Sequence, residues 1–289
     1  MHGSKTVVGS LGERVSREWF SELQVTGKSA STLKLYTYVV LDLWLPWLER
    51  RVIEYDRVER RNVIEFLQYL QETVSPSSSK TYLNAIKSWY EWLEAQDYIH
   101  KSPATHVSVK VDEVLPEPPS AAEIAALFAA IKTPVEAALA KGLFVTGCRI
   151  SELVELRLER IRFDALEATI MGKGGKERVV YFTPKVAELW KVLAGARTRG
   201  YLFDMGGDRH LKADAAYRRM ETLSHRAKVE NINPHRLRHA YATGFLERGA
   251  NIRELQELLG HKSILSTQRY THVARPRLKE LYQRLQPEG

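Results

Sequence analysis

The segment KSPATHVSVKVDEVLPEPPS, residues 101–120, constrains this chain more than any other. It holds four prolines, at 103, 116, 118 and 119, and its apolar residues alternate instead of recurring at the helical period of 3.6. Proline lacks the backbone donor and pushes the residue before it out of the helical region, so no long helix crosses this stretch. The 289 residues are thereby divided into two lengths, each sufficient for a core of its own. The expected organisation is a domain over 1–107, a linker over 108–119 and a second domain over 120–289.

The first length reads as helices. From Ser29, placed to cap a helix start, Leu33, Tyr36, Val40, Leu43, Trp44 and Trp47 follow at helical spacing, and Pro46 is expected to kink or shorten the last turn. A second stripe runs Val63, Phe66, Leu67, Leu70, and a third, after the breaker SPSSS, runs Tyr82, Leu83, Ile86, Trp89, Tyr90, Leu93. With an amphipathic segment around Val15 to Leu23, these predict a bundle of about four helices whose aromatic stripes form the core. Beyond Ser120 the pattern predicts helices at about 134–145, 150–159, 184–194, 212–228, 235–248, 251–259 and 276–285. They are interrupted by ALEATIMGKGGKERVVYFTP, two β-rich arms around a glycine-rich turn, which reads as a hairpin. The fold class expected is mainly α, with a helical N-terminal domain and a mostly α second domain carrying a small antiparallel sheet.

Composition narrows the function. Net charge is +8, and Lys plus Arg total 43 against 35 Asp plus Glu. Residues 1–107 carry 13 of each sign, which leaves 30 against 22 for residues 108–289, so the whole excess lies in the second length. That balance points to a polyanionic partner, nucleic acid first. One cysteine, Cys148, excludes an internal disulfide and a cysteine-built zinc site, and is read as a small core residue. No apolar run reaches the roughly 20 residues of a membrane span, and the opening MHGSKTVVGSLGERVSREWF lacks the apolar core of a signal peptide, so a cytoplasmic place is expected.

Individually, the residues capable of chemistry have ordinary explanations. Arg149 in TGCRISEL is an arginine at a helix start, and Lys173 in GKGGK is a lysine on a hairpin turn. That glycine cluster is not a phosphate-binding P-loop, because the four-residue spacer and the Ser or Thr after Gly-Lys are missing. His235, Arg238 and His239 in NPHRLRHAYAT share one helix face. The arginine between the histidines opposes a metal, and no glutamate follows His235.

Taken together, Arg149, Lys173, His235, Arg238, His261 in LLGHKS and Tyr270 in STQRYTHVA resemble, in order and in local context, the active-site set of the tyrosine recombinase (phage integrase) family. TGCRISEL, GKGGKER, PHRLRHAYAT, LLGHKSILSTQRYTHV and the proline linker all look like segments of that family, over roughly residues 12–285, and the chain is most similar to its Xer-type members. Arg236 stands where an acidic or polar residue is usual and adds a candidate phosphate contact; Ala240 stands where a small hydroxyl residue is common.

The residue types suit phosphodiester exchange without metal or ATP. Arg149 and Arg238 are assigned to the non-bridging oxygens, since guanidinium stays charged and grips phosphate bidentately. A phenol of pKa near 10 is only about one part in a thousand ionised at pH 7, so Tyr270, the nucleophile, needs a base, which His235 supplies. The resemblance implies Lys173 as proton donor to the leaving 5′ oxygen and His261 as a hydrogen-bond donor to the phosphate. Glu152, one turn after Arg149, either orients an active-site partner or is a surface glutamate.

The resemblance further implies a clamp on double-stranded DNA at specific recombination sites, with Lys34, Lys80 and Lys87 as candidate phosphate contacts and no cofactor. It implies a homo-tetramer on two DNA sites, held by exchange of the amphipathic tail RPRLKELYQRL, and leaves room for an accessory or sister recombinase. Alternatives are a type IB topoisomerase relaxing one duplex, and a catalytically silent DNA-binding protein of the same fold. A metal-dependent nuclease lacks its carboxylate cluster.

Overall fold

A computed structural model describes residues 5–111, 117–172, 175–229 and 232–260, with side chains from residue 12 onward. The chain divides into two compact units, Met1–Val114 and Leu115–Gly289.

The first unit is helical throughout: α1 (Lys5–Val25), α2 (Ala30–Thr37), a π-helical stretch (Tyr38–Trp44), α3 (Leu45–Arg50), α4 (Arg60–Gln71) and α5 (Pro76–Ala95). Ser29 caps α2, accepting from the Thr32 amide, and Ser75 caps α5 ahead of a proline in the first turn. Of the two effects expected at Pro46, shortening needs correction: the helix runs on to Arg50, after the backbone widens into π turns and the Leu45 amide bonds the Val40 carbonyl. Proline has no amide hydrogen to give and its ring crowds the carbonyl four residues back; a wide turn just upstream relieves both. The core is aromatic: Trp19, Trp44, Trp47, Phe66, Trp89 and Tyr90 are all buried, with Trp44 stacked on Trp47 and edge-on to Phe66.

The second unit contains α6 (Ala121–Ala129), α7 (Pro134–Thr146), α8 (Ile150–Val154), β1 (Ile161–Arg162), β2 (Glu167–Met171), β3 (Glu177–Tyr181), α9 (Pro184–Ala194), α10 (Ala213–Arg226), α11 (Pro234–Glu247) and α12 (Ile252–Leu259). Three helices begin with the same device, a capping side chain followed by proline: Thr133-Pro134, Thr183-Pro184 and Asn233-Pro234. The expected hairpin is present as β2 and β3, paired antiparallel from Glu167 opposite Tyr181 to Met171 opposite Glu177. Sequence reading missed β1, a two-residue edge added to β2.

The helix expected over 150–159 also needs correction, since it stops at Val154. The backbone beyond it is claimed by a distant segment: the Leu158 amide bonds the Gly200 carbonyl, and the Leu202 amide bonds the Leu156 carbonyl. Long-range pairing overrides local propensity there. No helix among the described residues is long and apolar enough to cross a membrane.

Candidate active site

Glycine at 147 builds the first half of the site. It ends α7 in the left-handed conformation (φ 62°), where a side chain is strained, and an added Cβ would stand 2.5 Å from the Tyr241 ring. Only glycine lets Tyr241 of α11 lie against this turn. Arg238, one turn earlier on α11, then reaches the same point: its Nη1 donates to the Gly147 carbonyl at 2.6 Å and its Nη2 to the Leu259 carbonyl at 2.9 Å. Two residues past Gly147, Arg149 occupies the N-cap of α8. One turn of backbone and one ring contact therefore bring together two arginines that lie 89 residues apart, at the start of α8 and within α11.

Glu152 gathers them. Its side chain is only 4% exposed, yet it accepts from the Arg149 amide at 2.8 Å and from Arg149 Nη1 at 2.7 Å. Arg178 of β3 grips the same carboxylate as a fork, Nη1 to Oε1 at 3.0 Å and Nη2 to Oε2 at 2.7 Å. Arg238 Nη1 lies 3.9 Å from Oε2. Of the two readings open for Glu152, the geometry selects the organising one. Burial alone would raise its carboxyl, but the Arg178 fork and the Arg149 amide hold it below the usual carboxylate range. Three guanidinium groups around one carboxylate leave the cluster net positive, the polarity a phosphate requires.

Arg238 is buried, and desolvation together with the Arg149 charge lowers its pKa to about 10, so it stays cationic at neutral pH. His235, three residues earlier, is at the exposed rim; partial desolvation, then Arg238 and Arg149, hold its imidazole below the ordinary 6.5. At pH 7 it is neutral, the form that accepts a proton. His239 is buried. Cys148, also buried, has its thiol pushed up to about 11 by desolvation and stays protonated, as a core residue should.

Three of the six expected residues, Arg149, His235 and Arg238, are thus described and brought together; Lys173, His261 and Tyr270 lie outside the described residues, as does the tail 276–285. The flanks of two of them are visible. The Gly172 amide, just before Lys173, bonds the Lys176 carbonyl at 2.7 Å, and Gly260, the left-handed cap of α12 (φ 64°), directly precedes His261. Arg236 is tied to the backbone, its Nε donating to the Glu117 carbonyl at 3.0 Å. Lys34 on α2 and Lys80 on α5 are exposed and Lys87, two turns along from Lys80, is half-buried. Sequence reading missed Arg178. Its only signal was a charge on the inward phase of a strand, on the face that also carries buried Val180.

Comparison with known proteins places the chain in a family. Residues 120–277 match the Phage integrase family profile, and residues 16–100 match the profile of the phage integrase N-terminal SAM-like domain. The chain is 31% identical to tyrosine recombinase XerD of Vibrio cholerae, over 97% of each. Its fold is similar to that of XerH site-specific recombinase bound to palindromic difH substrate (TM-score 0.70, 22% identity, 86% of this chain and 78% of that one). It is similar also to lambda integrase, as a tetramer bound to a Holliday junction (TM-score 0.70, 16% identity, 91% and 80%). With a buried carboxylate collecting arginines from α8, β3 and α11, and with relatives matched along nearly its whole length, the chain belongs to the phage integrase family and is a tyrosine site-specific recombinase of the Xer type.

Proposed function

We infer that this recombinase exchanges DNA strands through a covalent bond between Tyr270 and a 3′ phosphate. The observation that carries the reading is the placement of Arg149 and Arg238 on one carboxylate, with a neutral histidine at their rim. The Tyr270 oxygen attacks phosphorus, its proton passing to His235, while the bond to the 5′ oxygen breaks and Lys173 delivers a proton to it. Arg149, Arg238 and His261 stabilise the extra charge on the non-bridging oxygens. One ester replaces another, so a 5′ hydroxyl from a second duplex reverses the step without ATP or metal.

The division of labour assigns residues 1–107 to gripping the core of the DNA site, with Lys34, Lys80 and Lys87 on phosphates, and residues 120–289 to chemistry, with Arg236 as a further phosphate contact. The linker spans 108–119. The amphipathic tail, with Leu278, Leu281, Tyr282 and Leu285 on one face, links four copies across two duplexes by exchange between neighbours; a tetramer is also the assembly named for lambda integrase on a Holliday junction. The natural task is chromosome-dimer resolution or movement of an integrating element, carried out in the cytoplasm.

The test is capture of the covalent intermediate. Purified chain is incubated with fragmented host DNA, protein–DNA adducts are recovered under denaturing conditions, and the attached ends are sequenced. Adducts clustering at one site, absent with Tyr270→Phe, support the reading; adducts that persist in Tyr270→Phe overturn it. The recovered site on two duplexes then separates strand exchange from relaxation of one, and shows whether the chain alone suffices or a second recombinase is required.

A further inference from the structure

We propose that Arg178 is a positioning residue, which fixes the hairpin bearing Lys173 to the arginine cluster and so sets where the leaving-group proton donor stands relative to the phosphate. The inference rests on the reading of Lys173 as that donor.

Arg178 lies opposite Ile170 in the β2–β3 register, on the strand that leaves the turn. Lys173 is five residues before it along the chain. The buried face of β2 and β3 sets the strand register, but apolar contacts are non-directional and leave the tilt of the turn against α8 less constrained than a directional ion pair would. Arg178 removes that freedom. Its side chain, 11% exposed, puts a two-pronged fork onto both oxygens of Glu152, the carboxylate that also holds Arg149. Planar bidentate pairing specifies direction as well as distance, which a single ammonium cannot do.

Two further observations show that the position is built for this side chain. At Gly260 an added Cβ would stand 2.7 Å from Arg178 Cδ and 3.0 Å from its Nη1, so the cap of α12 is kept bare where the arginine passes. Arg178 Nε is buried with no hydrogen-bond partner among the described residues, a cost that an apolar residue would avoid. A buried ion pair is weak support for stability, since apolar packing replaces it readily; its value lies in orientation. Through Arg178, the strand leading from Lys173, the helix start at Arg149 and the cap before His261 meet at one side chain.

The experiment uses the full chain and a suicide duplex carrying the site recovered by adduct mapping, made with either the ordinary 5′ oxygen or a 5′ bridging sulfur at the scissile position. A sulfur leaving group, with a thiol pKa near 8.5, departs without a proton and bypasses the donor. R178M and R178K are expected to cut the oxygen duplex about 100-fold more slowly than the parent chain and the sulfur duplex within about threefold of it, the signature of a misplaced acid. Equal slowing on both duplexes would overturn the proposal. So would loss of DNA binding in both variants, which marks a structural role; R178K keeps the charge and most of the stem, and decides the matter if R178M does not fold. K173A, run alongside, reads the parent assignment. If sulfur fails to rescue K173A, the donor reading itself falls; if sulfur rescues K173A but neither Arg178 variant, only the proposal for Arg178 falls.

Discussion

The two units bury different things. Among the described residues of the first, no charged side chain is buried, and its interior is mainly aromatic and aliphatic, with Ser16, Asn62, Ser79 and Ser102 as the buried polar side chains. The second has an apolar core of its own around Trp190, yet it also buries Glu152 and Arg238 and nearly buries Arg178. Burying an ion costs several kcal/mol before any partner returns it, so a domain selected for stability alone would have filled those places with leucine. The contrast teaches that the charges gathered on Glu152 are kept for what they position, whereas the first unit's interior is kept for cohesion; the second unit's other buried carboxylate, Glu136, is paired with Arg226.

Glu152→Ala should break this contrast most severely. Removing the carboxylate leaves three guanidinium groups facing one another, and loss of one partner of a buried pair costs about 3–5 kcal/mol. Chemical denaturation should record that loss together with collapse of cleavage; full stability in the variant would show that the cluster is solvated rather than buried. Next in size is His235→Gln, expected to slow single-turnover cleavage by about 100-fold, as for loss of a positioned general base. The pH dependence sharpens it. With its imidazole held below the ordinary 6.5, His235 stays neutral into mild acid, so the acid limb of the parent rate should fall below that value and vanish in the glutamine variant. The unfolded chain takes up this proton first, so stability should decline as pH drops through about 6.5, and the variant should lack that decline.

Ile86→Val in the first unit should cost about 0.5–1.5 kcal/mol of stability and leave the cleavage rate at saturating DNA unchanged. A change in that rate would mean that the first core, too, shapes the chemistry. Smallest is the effect of Lys34→Ala, Lys80→Ala or Lys87→Ala, each expected to weaken binding to all sequences alike and to lower the slope of log affinity against log salt by about one. A lysine whose removal leaves that slope intact is a solvated surface group.

The same contrast governs what was legible. The first unit could be read because burial of apolar groups leaves a periodic trace: Val63, Phe66, Leu67 and Leu70 fall at helical spacing and are all buried in α4. The hairpin was legible from its alternation and its glycine turn. The third strand, only Ile161 and Arg162, is too short to leave any period, and the early stop of α8 at Val154 is imposed by residues 200–202, some forty-five positions away. Within the candidate site, Arg149, His235 and Arg238 were singled out because their order and context resemble those of the family's active-site set. Arg178 has no such context in the sequence alone; it reads as one more basic residue after GKGGK. Only the register of the strand and the direction of its neighbours turn it inward. The role of Glu152 stayed open for a related reason, since a glutamate one turn into a helix is commonplace until its partners are known.

Arg238 has an implication for genetics. The side chain we assign to the phosphate also fastens the Gly147 turn to the Leu259 turn through two carbonyls. An allele at 238 recovered in a screen for lost recombination would combine a missing charge with a loosened joint, and its phenotype would overstate the worth of the charge. Alleles at the rim histidine carry no such double meaning, and they are the ones from which the strength of the chemistry should be measured.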